Sequence, residues 1–127
     1  MSITNFKPTR RQVAASAAAV FTTNLFTGNV KGANDKVNVG FIGLGAMGHG
    51  NLGYALRVPE IAPTALCDVY EPHLERAVST AKKGGFTIQG KRDFRELLAD
   101  KSIDAICIST PDHWHPYMTV EACKAGK

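Results

Sequence analysis

Apolar positions recur with two different periods along the chain, which predicts alternating strands and helices. Short apolar runs predict four strands, at residues 37–42, 63–67, 86–88 and 103–108. Stretches with helical spacing predict four helices, over residues 46–57, from 72 to 84, from 93 onward and over 116–125. Because the two types alternate, residues 34–127 are predicted to form one α/β domain.

The predicted strands and helices imply a particular sheet. Right-handed crossovers between parallel strands give an open, doubly wound sheet in the order 3-2-1-4, which is a Rossmann-type arrangement. Its switch point lies between the first and fourth strands. The loops that follow these two strands should therefore meet at one crevice, where a ligand is expected to bind.

The loop after the first strand has the pattern G-x-G-x-x-G, formed by the residues Gly43, Leu44, Gly45, Ala46, Met47 and Gly48. Gly43 permits a tight turn, Gly45 lets a pyrophosphate approach the backbone, and Gly48 lets the next helix pack closely on the strand. The helix start offers N–H groups and the positive end of its dipole to an anion. We predict that this loop binds a dinucleotide.

Asp68 follows the second strand, 20 positions after the last glycine of the loop. At this position a carboxylate accepts hydrogen bonds from an adenosine ribose and repels a 2′-phosphate. Val69 and Tyr70, which come next, offer no cation to a phosphate. The sequence therefore favours NAD over NADP. A role for Asp68 as a helix cap is compatible with this one.

The loop after the fourth strand contains Thr110 and Pro111, which are expected to approach the nicotinamide half of the ligand. Trp114 offers a flat apolar face, and His115 a donor near the ribose. The alternatives are packing of the tryptophan on the sheet edge and capping of the last helix by histidine. His113 and His115 have H-x-H spacing, but no further ligand cluster accompanies them, so no metal site is expected.

The net charge of +4 comes from the first 33 residues, which hold four basic and no acidic residues. From Asn34 onward eleven basic and eleven acidic residues balance, so no nucleic-acid partner is expected. The cysteines Cys67, Cys107 and Cys123 lack C-x-x-C spacing and are interpreted as structural.

Residues 1–33 have the pattern of a targeting signal. Arg10 and Arg11 precede an alanine-rich, weakly hydrophobic stretch that is too short to span a bilayer. Paired arginines in this place resemble a twin-arginine export signal. We therefore expect recognition by the export machinery and a periplasmic or otherwise exported location. A cytoplasmic protein with an N-terminal arm is the alternative.

Four sequence features together resemble one family. G-L-G-A-M-G follows the first strand, C-D the second, and S-T-P-D-H-W-H with E-A-C-K-A-G-K the fourth. Over residues 36–127 the chain is similar to the glucose–fructose oxidoreductase / inositol 2-dehydrogenase (Gfo/Idh/MocA) family. The resemblance implies NAD(P)-dependent oxidation of a sugar or cyclitol by a parent protein that is a homo-oligomer.

In that family a fifth strand, an E-K-P motif and a C-terminal substrate domain follow, and they supply a catalytic lysine and histidine. The sequence ends at Lys127, before this motif. We therefore assign no catalytic residue and expect a nucleotide-binding fragment that is inactive alone. An NAD-dependent glycosidase of the same fold family and a non-catalytic nucleotide-binding remnant are the alternatives.

Overall fold

A four-stranded parallel sheet forms the centre of the protein in the computed structural model, which describes residues 36–127. The strands are β1 (Val37–Ile42), β2 (Ile61–Cys67), β3 (Gly90–Lys91) and β4 (Ala105–Ile108). Their order is β3-β2-β1-β4, which confirms the predicted 3-2-1-4 sheet. The expected export segment, residues 1–33, lies outside the described residues.

Four helices connect and follow the strands. They are α1 (Ala46–Ala55), α2 (Glu71–Lys83), α3 (Phe94–Ala99) and α4 (His115–Lys124), with a 3₁₀ turn at Asp112–Trp114 before α4. Asp93 caps α3 by accepting the Arg95 N–H at 3.0 Å. Within residues 36–127 no helix is long and apolar enough to cross a membrane.

The third strand is the one element that the sequence pattern misplaced. Its predicted position was 86–88, but the backbone pairs with β2 at Gly90–Lys91. Ile88 is buried and Phe86 packs against the same apolar cluster, so these side chains anchor an irregular segment instead of a strand. Gly90 lies so close to α2 that no side chain fits there, since a Cβ would lie 2.7 Å from the Leu74 side chain.

Two apolar clusters cover the two faces of the sheet. One joins Phe41 and Leu66 to residues of α1 and α2, and the other joins Ile42 and Cys67 to Leu97 of α3 and Met118 of α4. Neighbouring strand residues alternate between the clusters, as the pleat of a strand requires. Helices therefore flank both faces, and the carboxyl ends of the strands stay open.

The start of α1 lies against the end of β1 more closely than a side chain would allow. A Cβ on Gly48 would stand 1.8 Å from the Gly43 carbonyl oxygen. Gly43 itself has a φ of +83°, which strains any residue with a side chain. These two glycines fix the direction in which α1 leaves the sheet.

We expect Gly48→Ala to lower the free energy of unfolding by about 1–3 kcal/mol or more, because backbone atoms cannot yield to the added methyl group. Gly50→Ala is the matched control in the same helix, since its Cβ would meet nothing within 4 Å. This control should be neutral or more stable by about 0.5–1 kcal/mol. Urea unfolding followed by circular dichroism measures both, and equal effects of the two substitutions would contradict the packing argument.

Candidate functional site

A cavity of about 900 Å³ lies at the carboxyl ends of the strands. The last residues of β1 and β2, Ile42 and Cys67, line it, together with Ser109, which follows β4. The cavity therefore occupies the switch point of the sheet, where β1 lies between β2 and β4.

The glycine loop forms one wall of the cavity. The Gly43 N–H donates to the Cys67 carbonyl at 2.9 Å, which ties the loop to the end of β2. Gly45 lines the cavity, and a Cβ there would meet only the His73 ring, at 3.7 Å. The absent side chain thus leaves free space beside the backbone, which a pyrophosphate can occupy.

The N-terminus of α1 faces the same space. Gly45 is its N-cap and provides no side-chain acceptor, and the first turn contains no acidic residue. The N–H groups of the first turn have no acceptor within the helix and stand at the positive end of the dipole. This arrangement fits a bound anion.

Asp68 connects β2 to the glycine loop. Its Oδ2 accepts the Leu44 N–H at 2.6 Å, and its Oδ1 accepts the Tyr70 N–H at 2.9 Å. The His73 Nδ1 lies 3.6 Å from Oδ2, and the carboxylate side chain is 10% exposed. Each carboxylate oxygen can accept a second hydrogen bond, so Asp68 can hold the loop and still receive a hydroxyl group.

The Leu44 carbonyl, like the Leu44 N–H, has a hydrogen-bond partner. Arg76 of α2 donates from Nη2 to the Leu44 carbonyl at 3.1 Å. Nearby, the His49 Nε2 lies 3.2 Å from the Thr80 hydroxyl. Burial, and then the charges of Arg76 and His73, lower the pKa of His49, which favours the neutral form of its ring beside the guanidinium.

The loop after β4 forms the opposite wall, with Thr110, Pro111 and Trp114 lining the cavity. Asn51 of α1 donates to the Ser109 hydroxyl at 3.0 Å, which ties this loop to the helix that carries the anion site. The His115 Nε2 lies 2.6 Å from the Thr110 carbonyl oxygen. Since a carbonyl only accepts, this nitrogen carries the proton and is not free to bind a ribose.

Eight of the predicted site residues line the cavity, namely Gly43, Gly45, Ala46, Met47, Asp68, Thr110, Pro111 and Trp114. The other three, Leu44, Gly48 and His115, do not. The Leu44 side chain is fully buried in the apolar core, and Gly48 is buried against the end of β1. Leu44 and Gly48 therefore shape the loop from behind.

The sequence patterns did not predict one wall of the cavity, which is formed by the residues after β3 and the first turn of α3. Residues 92–96 line the cavity, as do Tyr70 before α2, His73 in α2 and Met118 in α4. The charged groups here are paired: Arg95 with Asp93 at 2.9 Å, Lys91 with Glu96 at 3.0 Å, and Arg92 with Glu71 at 3.8 Å. The one sequence signal for this wall was the helix cap at Asp93. It predicted where α3 begins in the sequence but not that α3 lies beside the cavity.

The floor of the cavity carries no thiolate. Cys67 is buried, and burial raises the pKa of its thiol to about 12, with the charges of Asp68, Asp93 and Glu96 adding to the effect. Its thiol is therefore neutral near pH 7. In residues 36–127 no group of three His, Cys, Asp or Glu side chains is placed to hold a metal ion.

The fold and the site define a Rossmann-type domain that binds a dinucleotide. Residues 37–127 match the family model described as "Oxidoreductase family, NAD-binding Rossmann fold", the Gfo/Idh/MocA family. The chain belongs to this family, and the expected nicotinamide cofactor follows from that membership.

Three known proteins illustrate the similarity. A glycosyl hydrolase family 109 protein of Saccharopolyspora erythraea is 35% identical over 100 residues, which cover 75% of this chain and 22% of that protein. A myo-inositol dehydrogenase of Lactobacillus casei, solved with NAD(H) and myo-inositol, is 26% identical with a TM-score of 0.63, covering 70% of this chain and 26% of that one.

A 3-ketoreductase of Actinomadura kijaniata, solved with NADP and TDP-benzene, shares the fold with a TM-score of 0.64 at 21% identity. The match covers 73% of this chain and 27% of that one. The chain thus spans about a quarter or less of the length of each of these three proteins.

We expect Asp68→Ala to destabilise the protein by about 1–3 kcal/mol in the absence of any nucleotide, because the Leu44 N–H loses its acceptor in a partly buried position. Asp68→Asn should cost less, since its amide oxygen still accepts one of the two N–H groups. Urea unfolding measures these changes. Glu75→Ala, at an exposed position of α2, is the control and should stay within about 0.5 kcal/mol of the parent. If Asp68→Ala were equally mild, its role in holding the loop would be refuted.

Proposed function

We propose that this domain binds NAD for an oxidoreductase that acts on a sugar or a cyclitol. The observation that carries the proposal is the convergence of the glycine loop, Asp68 and the Thr110–Pro111 segment on one cavity at the switch point. Family membership and the inositol complex of the Lactobacillus casei neighbour support the substrate class.

Each wall has a separate task in this proposal. The glycine loop and the start of α1 hold the pyrophosphate, and Asp68 accepts hydrogen bonds from the adenosine ribose. Thr110, Pro111 and Trp114 pack against the nicotinamide half and exclude water from it. When bound, the nicotinamide supplies a hydride acceptor. We assign proton transfer to none of residues 36–127, and the family resemblance assigns it to the lysine of an E-K-P motif and to a histidine of a C-terminal domain.

NAD is proposed over NADP because the Asp68 carboxylate would lie beside a 2′-phosphate. We expect the chain to bind NAD more tightly than NADP by isothermal titration calorimetry. Asp68→Asn should weaken NAD binding by about 1.5–3 kcal/mol, the usual contribution of a hydrogen bond to a charged group. It should weaken NADP binding less. Asp112→Asn, at an exposed carboxylate outside the cavity, is the control. Equal affinity of the parent chain for both dinucleotides would refute the preference.

A second candidate function is an NAD-dependent glycosidase. The observation that favours it is the 35% identity with a glycosyl hydrolase family 109 protein, which exceeds the identity with the inositol dehydrogenase. In such a reaction NAD is reduced when it takes a hydride from the sugar and is oxidised again when it returns the hydride within the same turnover, so no reduced cofactor accumulates.

The two functions predict different products from a full-length protein that contains this domain. With added NAD and a panel of sugars and inositols, the oxidoreductase accumulates NADH at 340 nm. The glycosidase instead releases p-nitrophenol from an aryl glycoside without net NADH. We expect the first result. Release of p-nitrophenol that requires NAD but leaves its redox state unchanged would establish the second function instead.

A further inference from the structure

An arginine from outside the sequence motifs stands at the ribose end of the cavity. Arg92 follows β3 and lines the cavity, and its Nη2 donates to the Val69 carbonyl at 3.0 Å. Val69 is the residue directly after Asp68. The sequence around Asp68 predicted no cation at this position, but the pairing of β3 with β2 brings one there.

Arg92 is the least firmly paired of the three cations in residues 91–95. Arg95 binds both carboxylate oxygens of Asp93, at 2.9 and 3.1 Å. Lys91 contacts Glu96 at 3.0 Å, whereas Arg92 reaches Glu71 only at 3.8 Å. A guanidinium has five N–H donors, so Arg92 keeps several for another acceptor. Its side chain is 70% exposed and that of Glu71 is 53% exposed, so both can move.

The local charge balance depends on Glu71. Near Val69 the two carboxylates of Asp68 and Glu71 oppose the single guanidinium of Arg92, which leaves a net negative charge. A 2′-phosphate carries a charge of about −1.5 to −2 and would be repelled there. Without the Glu71 charge the remaining pair is neutral, and the guanidinium is free to contact the phosphate with the forked geometry that arginine offers.

We propose that Arg92 is a latent ligand for the 2′-phosphate of NADP and that Glu71 determines specificity by holding it. Glu71 is thus a positioning residue, which acts on the dinucleotide through Arg92. This inference rests on the proposed binding of a nicotinamide dinucleotide in the cavity. It predicts that selectivity between the two dinucleotides depends on the ion pair as well as on Asp68.

The test compares ADP-ribose with its 2′-phosphate, because this pair differs only in the group that Arg92 would contact. Calorimetry with the full chain gives the ratio of the two dissociation constants. We expect Glu71→Gln to shift this ratio about fivefold towards the 2′-phosphate, the size of an exposed ion pair. Affinity for ADP-ribose should stay unchanged. Glu75→Gln removes the same charge one turn further along α2 and should leave the ratio unaltered.

Arg92→Gln decides whether Glu71 acts through the arginine. In that background Glu71→Gln should shift the ratio much less, because only the loss of its own charge remains and the ligand it would release is gone. A shift of equal size with and without Arg92 would show that Glu71 acts by its own charge and would overturn the inference, as would the absence of any shift. If the parent chain bound neither ligand, the proposed function itself would fail. A change confined to ADP-ribose affinity would point to a structural role and would also overturn the inference.

Discussion

The site depends on how closely the start of α1 approaches the end of β1. The Gly43 carbonyl occupies the space that a Cβ on Gly48 would need, so the helix starts directly beside the strand. This approach directs the free N–H groups of the first turn into the cavity. It also places the Leu44 backbone between Asp68, which accepts its N–H, and Arg76, which donates to its carbonyl. The proposed sites for the pyrophosphate and the ribose are thus parts of one hydrogen-bonded unit.

That unit changes the interpretation of Asp68. From the sequence, this carboxylate is a ligand for a ribose, and its spacing from the glycines is the reason. In the structure it also satisfies the backbone N–H groups of Leu44 and Tyr70. Substitutions at Asp68 therefore affect stability and binding together. Measurements on the protein without nucleotide are needed to separate the two effects.

The sequence predicted those parts of the molecule in which a local pattern and a spatial position coincide. The glycine loop, Asp68 and Thr110 directly follow strands, and parallel strands bring their carboxyl ends to one edge, so strand order was enough to place them together. Arg76 and Arg92 could not be found this way. Arg76 lies on an exposed face of α2. Arg92 follows a strand that pairs through Gly90, where the apolar pattern gave no signal. The strand was predicted at Ile88 instead, because this apolar residue is buried in the core although its backbone is not part of the sheet.

A dinucleotide bound in this cavity would meet two kinds of contact, one fixed by the core and the other made by side chains near the surface. Contacts to the pyrophosphate come from backbone that the core fixes, since Leu44 is fully buried and Gly48 cannot carry a side chain. Contacts near the ribose would come in part from the exposed Arg92–Glu71 ion pair, which is weak and easily rearranged. Binding of a dinucleotide would therefore depend on backbone that the core fixes, whereas the proposed choice between dinucleotides depends on the partly buried Asp68 and on the exposed charges of Arg92 and Glu71. Because Arg92 and Glu71 lie outside the core, these two residues can be exchanged without disturbing the packing of the sheet and its helices.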